Sequence, residues 1–130
     1  MDWLLKTEPT DYSYEDLARE KTTVWSGVTN AAARKNLRAM GVGDRLVVYH
    51  TGEERRAVGL ARVTKGPRAA DDDPKGVVVT IRAAGRLRVP FPLAAIKSEP
   101  LFAGSPLLTI GRLSVVPLTG EQYRFLAGGE

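Results

Sequence analysis

Apolar and polar positions along the chain fall into short stretches separated by Gly, Pro and charged residues. Residues 3–6 are apolar enough for a first strand, and Pro9, with no N–H to donate, ends it. Ser13 can cap a helix that starts Tyr14-Glu15-Asp16-Leu17, where acidic residues suit the positive end of the helix dipole. Residues 22–25 read as a short extended piece. The strongest helical pattern covers residues 30–40: Asn30 caps it, and Gly41 stands where a left-handed residue closes a helix. Ala33, Leu37 and Met40 form its buried stripe, while Arg34, Lys35 and Arg38 share a basic exposed face.

Residues 45–51 alternate as a strand, with Leu46, Val48 and His50 on one side and Val47, Tyr49 and Thr51 on the other. A polar turn at 52–56 leads into a partner strand at 57–64, completing a hairpin. Residues 65–76, with two prolines and three consecutive aspartates, read as a loop. Two more strands are expected at 77–83 and 86–89, on either side of Gly85. A short helix at 93–98, a last strand at 113–116 and a helical turn at 121–127 complete the pattern. Five or six short strands with small flanking helices predict an α+β domain: one unit over residues 1–130, built as a partly closed β-barrel.

Composition adds exclusions more than identity. The 130 residues suffice for one core, and no apolar run reaches the roughly 20 residues that span a bilayer. The first residues lack a basic stretch and a cleavage site, so a cytoplasmic monomer without a membrane is expected. There is no cysteine, which removes disulfides, thiolate metal sites and cysteine nucleophiles. The net charge of +4, with Arg outnumbering Lys, leans toward polyanions.

Catalytic motifs are missing: no phosphate-binding glycine loop, nucleophile elbow or paired-histidine zinc motif occurs. The single histidine, His50, lies within an apolar strand and reads as a core or rim residue. Asp71, Asp72 and Asp73 lack the spaced ligands of a calcium loop and read as a solvated segment, so no metal and no cofactor are expected. Trp25-Ser26-Gly27 is better suited to binding. It offers an aromatic wall beside small residues, just ahead of a helix N-terminus that favours hydrogen-bond-accepting groups. A core role for Trp25 fits the spacing equally well.

Several segments, in one order along nearly the whole chain, carry a family resemblance. Trp3-Leu4-Leu5-Lys6-Thr7-Glu8-Pro9 resembles the W-L-x-K-x-E-P opening of the EVE domain, and Tyr12-Ser13-Tyr14-Glu15-Asp16-Leu17 resembles its Y-S-x-x-D-L. Trp25-Ser26-Gly27-Val28-Thr29-Asn30, with Ala33-Arg34, resembles W-x-G-V-R-N-Y-x-A-R. Tyr49-His50-Thr51, Val58-Gly59-Leu60-Ala61 and Arg112-Leu113-Ser114-Val115 resemble Y-H-S, V-G-I-A and R-L-S-V.

The resemblance implies a PUA-like fold and a non-enzymatic reader that takes one modified base of DNA or RNA into a pocket. It makes Trp25 a pocket wall and Ser26 a contact to the base edge. Lys6, Thr7 and Glu8 become polar contacts, Asn30 orients the helix start, and Tyr49 and Thr51 form the floor or rim. Arg34, Lys35 and Arg38 are implied to hold phosphates. Thr29 and Ala31 replace the pattern's Arg and Tyr, and residues 65–76 hold no aromatic, so one cation and one cage wall are missing. Phe91 or Phe102 could supply the wall. The alternative use of such a pocket is to sense a free nucleobase or nucleotide.

Overall fold

In a computed structural model, which describes residues 1–128, six strands form one mixed sheet. The strands are β1 (Asp2–Thr7), β2 (Thr22–Trp25), β3 (Arg45–His50), β4 (Arg56–Ala69), β5 (Val77–Pro92) and β6 (Val115–Leu118). Around them lie α1 (Tyr14–Glu20), α2 (Ala31–Arg38), α3 (Leu93–Lys97), α4 (Pro106–Thr109) and α5 (Gly120–Leu126), with a 3-10 turn at Pro100–Phe102. The strand order is β2-β5-β4-β3-β1-β6. β1 and β3 pair in parallel, and the other neighbours are antiparallel.

Central position explains the composition of β3. Leu46, Val47, Val48, Tyr49 and His50 are all buried, because both faces of this strand are covered. The edges are β2 and β6, which do not pair with each other among the described residues. The sheet therefore stays open on one side instead of closing into a full barrel.

α2 follows the pattern of its sequence. The Asn30 side chain accepts from the Ala33 N–H at 2.9 Å, and Ala33, Leu37 and Met40 are buried. Its end differs from expectation: Ala39 and Met40 N–H groups bond back to Asn36 and Leu37 carbonyls, and Gly41 is not left-handed. The Gly41 N–H goes to the Asp44 carboxylate at 3.0 Å, and the left-handed glycine is Gly43 at φ +92°.

The expected boundaries of the two longest strands move. Residues 65–69, read as loop, continue β4, because backbone pairing with Val77 and Val78 does not depend on polar side chains. Pro67, which has no N–H to donate, falls within the stretch between Lys65 and Arg68 where the pairing slips. The two strands expected around Gly85 are one strand, β5. Gly85 takes φ +123° where the register shifts, so the strand bends instead of ending.

Tyr14 links this bend to the helices. Its hydroxyl donates to Leu60 O at 2.7 Å and accepts from Gly85 N–H at 3.0 Å, while its ring packs where Gly59 has no side chain. A Cβ at residue 59 would collide with that ring.

Candidate functional site

The open side of the sheet holds a cavity of about 630 Å³, within the roughly 300–1,000 Å³ usual for small-ligand sites. Thr23 and Trp25 of the β2 edge meet Arg112 and Ser114, the residues leading into β6, across it. The absence of β2–β6 pairing is what leaves the space.

Trp25 is 7% exposed and forms one wall. Tyr12 meets it edge-on, with ring centroids 6.0 Å apart and planes at 84°. The Tyr12 hydroxyl donates to the Glu20 carboxylate. Burial, reinforced by Glu20, pushes its pKa up to about 12, so the phenol stays protonated. Its hydroxyl is thus engaged on α1 while its ring lines the cavity.

β1 supplies the polar rim. The Lys6 ammonium donates to Gly111 O at 3.0 Å, and burial holds it below its ordinary 10.5. Thr7 Oγ1 donates to Tyr12 O at 2.6 Å and so fixes the loop that carries Tyr12. The Glu8 carboxylate accepts from Thr51 Oγ1 at 3.3 Å and from Thr10 Oγ1 at 3.2 Å. Gly52, at φ +72°, leaves room for Glu8, since a Cβ there would collide with the carboxylate. Asn30 caps α2 while lining the same cavity.

Trp25, Ser26, Lys6, Thr7, Glu8 and Asn30 therefore surround one space. Tyr49 and Thr51 do not. They line a separate hollow of about 280 Å³, and only Lys6 of the expected set lines both. Lys6 and Tyr49 are register partners across β1 and β3, and the ammonium sits 6.0 Å from the Tyr49 ring centroid.

The basic face of α2 is also revised. Arg34 is 17% exposed: its Nε–H donates to Val28 O at 2.8 Å, and its guanidinium pairs with Asp73 at 2.7 Å. It braces the segment after β2 against the turn before β5. Asp73 is accordingly a structural partner, unlike the solvated aspartate expected there. Lys35 and Arg38 remain exposed, with Arg38 donating to Lys75 O at 3.3 Å.

Phe91 and Phe102 belong to an aromatic cluster around Phe125, so neither walls the Trp25 cavity. Tyr12 and Arg112 were missed as site residues, although both lie within the motifs that carry the resemblance. His50 is 2% exposed, as a core histidine should be. Its Nε2 accepts from the Tyr14 N–H at 3.0 Å, which places the proton on Nδ1, facing Glu54 at 2.9 Å. That hydrogen bond holds the Glu54 carboxyl below its usual range. With both ring nitrogens engaged within the fold, the imidazole does not line the cavity.

Comparison with known proteins places the chain in a family. Human thymocyte nuclear protein 1 is 31% identical, with 95% of this chain and 71% of that protein covered. Its matched stretch of 160 residues is longer than this whole chain, so it carries segments absent here. Among solved structures, protein Atu2648 of Agrobacterium tumefaciens superposes with a TM-score of 0.92 at 35% identity, covering 98% of this chain and 90% of that one. The human THYN1 protein in complex with 5-methylcytosine containing DNA superposes with a TM-score of 0.85 at 31% identity, covering 98% and 95%. The EVE domain family matches residues 2–128. This chain is a member of the EVE domain family, and it has the PUA-like fold that its motifs implied.

Proposed function

We propose that this chain binds nucleic acid by taking one modified base into the Trp25 cavity, and that it does so without catalysing a reaction. The observation that carries the reading is the cavity at the open seam of the sheet. A flat ligand finds an indole wall and a phenol ring there, with cations (Lys6, Arg112) and carboxylates (Glu8, Asp11) around the rim. A base needs both kinds of partner, because its edge presents donors and acceptors together. The complex of the human relative with 5-methylcytosine containing DNA supports the same class of ligand.

Lys35 and Arg38 are proposed to hold phosphates. Arg34 is left out of that role because Asp73 already neutralises it. A non-catalytic role is supported by His50, whose two ring nitrogens are committed to Tyr14 and Glu54. A base drawn from a duplex must first leave the stack at a cost of a few kcal/mol. A target base opposite an abasic gap should therefore bind more tightly than the same base in a paired duplex.

The test is a binding panel of otherwise identical oligonucleotides, starting with 5-methylcytosine against cytosine in DNA. Burying one methyl group contributes about 0.8 kcal/mol, or roughly fourfold in affinity. The expected result is a preference of that size or larger for one modified base. A flat response across modifications would overturn the reading. Equal affinity for the free nucleoside, with no dependence on salt, would instead indicate a small-molecule sensor.

A further inference from the structure

The chain's cations are unevenly committed. Arg19, Arg34, Arg45, Arg56 and Arg86 each pair with a carboxylate. The hollow beside the Trp25 cavity shows the opposite arrangement. Lys6, Arg55 and Lys97 all line it, and among the described residues no carboxylate does. Neither the Arg55 guanidinium nor the Lys97 ammonium has a hydrogen bond or a carboxylate partner among the described residues. Two other cavities carry both signs of charge: Glu8 and Asp11 with Lys6 and Arg112 line one, and three aspartates with Arg34 and Arg68 line the other.

The cations of the hollow are also held in place by separate elements. Arg55 closes the β3–β4 turn at φ +44°, a left-handed conformation uncommon for a residue with a side chain. Its carbonyl accepts from the Leu93 N–H at 2.9 Å, which ties this turn to the start of α3. Lys97 ends α3, and the Lys6 ammonium is fixed over the Tyr49 ring by Gly111 O. Lys6 retains N–H donors beyond the one given to Gly111. Leu93, Leu107 and Leu108 line the same hollow, and such apolar walls concentrate the field of nearby charges.

We infer that this hollow is a phosphate subsite, in which Lys6, Arg55 and Lys97 hold a backbone phosphodiester of the strand whose base occupies the Trp25 cavity. The inference rests on the base-binding reading, because Lys6 joins the two spaces and one strand would cross it. Phosphate contacts position a strand without reading its sequence. The subsite should therefore contribute equally to modified and unmodified ligands.

The test is the double variant Arg55→Asn/Lys97→Gln, with binding of the 5-methylcytosine and cytosine oligonucleotides measured across a salt series. Asn tolerates the left-handed backbone at residue 55, and Lys97 is exposed, so the fold should survive. An unchanged thermal midpoint checks that. Loosening the hold on this one phosphate flattens the plot of log affinity against log salt by up to about 0.7–0.9. Wild-type affinity should accordingly fall up to about threefold more than that of the variant between roughly 50 and 200 mM salt. Both oligonucleotides should lose affinity alike. If modification preference is present and the salt slope is the same in both proteins, the subsite is wrong and the base-binding reading stands. If the slope flattens while no modification is preferred, the subsite stands and the modified-base reading fails.

Discussion

The two cavities that meet at Lys6 are lined by different chemistry. The larger has Trp25 and Tyr12 at right angles and a rim carrying both signs of charge. The smaller has three cations, one tyrosine and several leucines, with no carboxylate among the described residues. A mixed rim can discriminate, since it can satisfy or frustrate the edge of a base. A rim of one sign can only attract, and it attracts any phosphate equally. On the proposed reading, selectivity belongs to one side of Lys6 and affinity to the other.

The largest effect should come from Trp25→Leu, which keeps an apolar side chain but removes the stacking surface. Stacking of a base on an aromatic ring is worth about 1–3 kcal/mol, so affinity should fall roughly 5- to 150-fold. Modification preference should fall with it, while the salt slope measured by titration stays as in the wild type. Trp25→Phe should recover part of the loss.

Next in size is the response to pH at the shared residue. Burial lowers the Lys6 pKa from 10.5, so the ammonium loses its proton earlier than an exposed lysine as pH rises. Oligonucleotide affinity should fall on the alkaline side, beginning below pH 10.5, because the anion loses its partner. Lys6→Arg keeps the charge throughout this range, and binding measured against pH should then stay level.

The smallest effect is expected at Arg34. Arg34→Gln should leave the salt slope of binding unchanged, because this guanidinium serves Asp73 and Val28 O. Its cost should appear in stability, at about 1 kcal/mol or less for a partly exposed pair. A melting midpoint lowered by a few degrees would report it. A flattened salt slope in this variant would return Arg34 to the phosphate contacts.

Local signals in the sequence found the elements whose causes are local. Asn30 capping α2, with Ala33, Leu37 and Met40 buried beneath it, follows from spacing alone. The extension of β4 to Ala69 was hidden because its cause is a partner strand, Val77–Pro92, with which it pairs through the backbone. The pairing of Arg34 with Asp73 was hidden for a similar reason: a helical face does not reveal a turn that folds back from 39 residues away.

The site divides along the same line. Lys6, Thr7, Glu8, Trp25, Ser26 and Asn30 were placed together by the motifs, and the fold brings them around one cavity. Tyr49 and Thr51, implied by the same motifs, line the neighbouring hollow instead; Tyr49 is adjacent to Lys6 in register, and Lys6 lines both spaces. Tyr12 went unnoticed because it precedes a helix cap in sequence. Its place opposite Trp25 depends on the turn held by Thr7 Oγ1.

Trp25 is the residue proposed to select the base. The most direct test is the affinity ratio between 5-methylcytosine and cytosine oligonucleotides, measured at one salt concentration for the wild type and for Trp25→Leu. A ratio of about fourfold or more is expected in the wild type, collapsing toward unity in the variant. The same ratio in both proteins would contradict it.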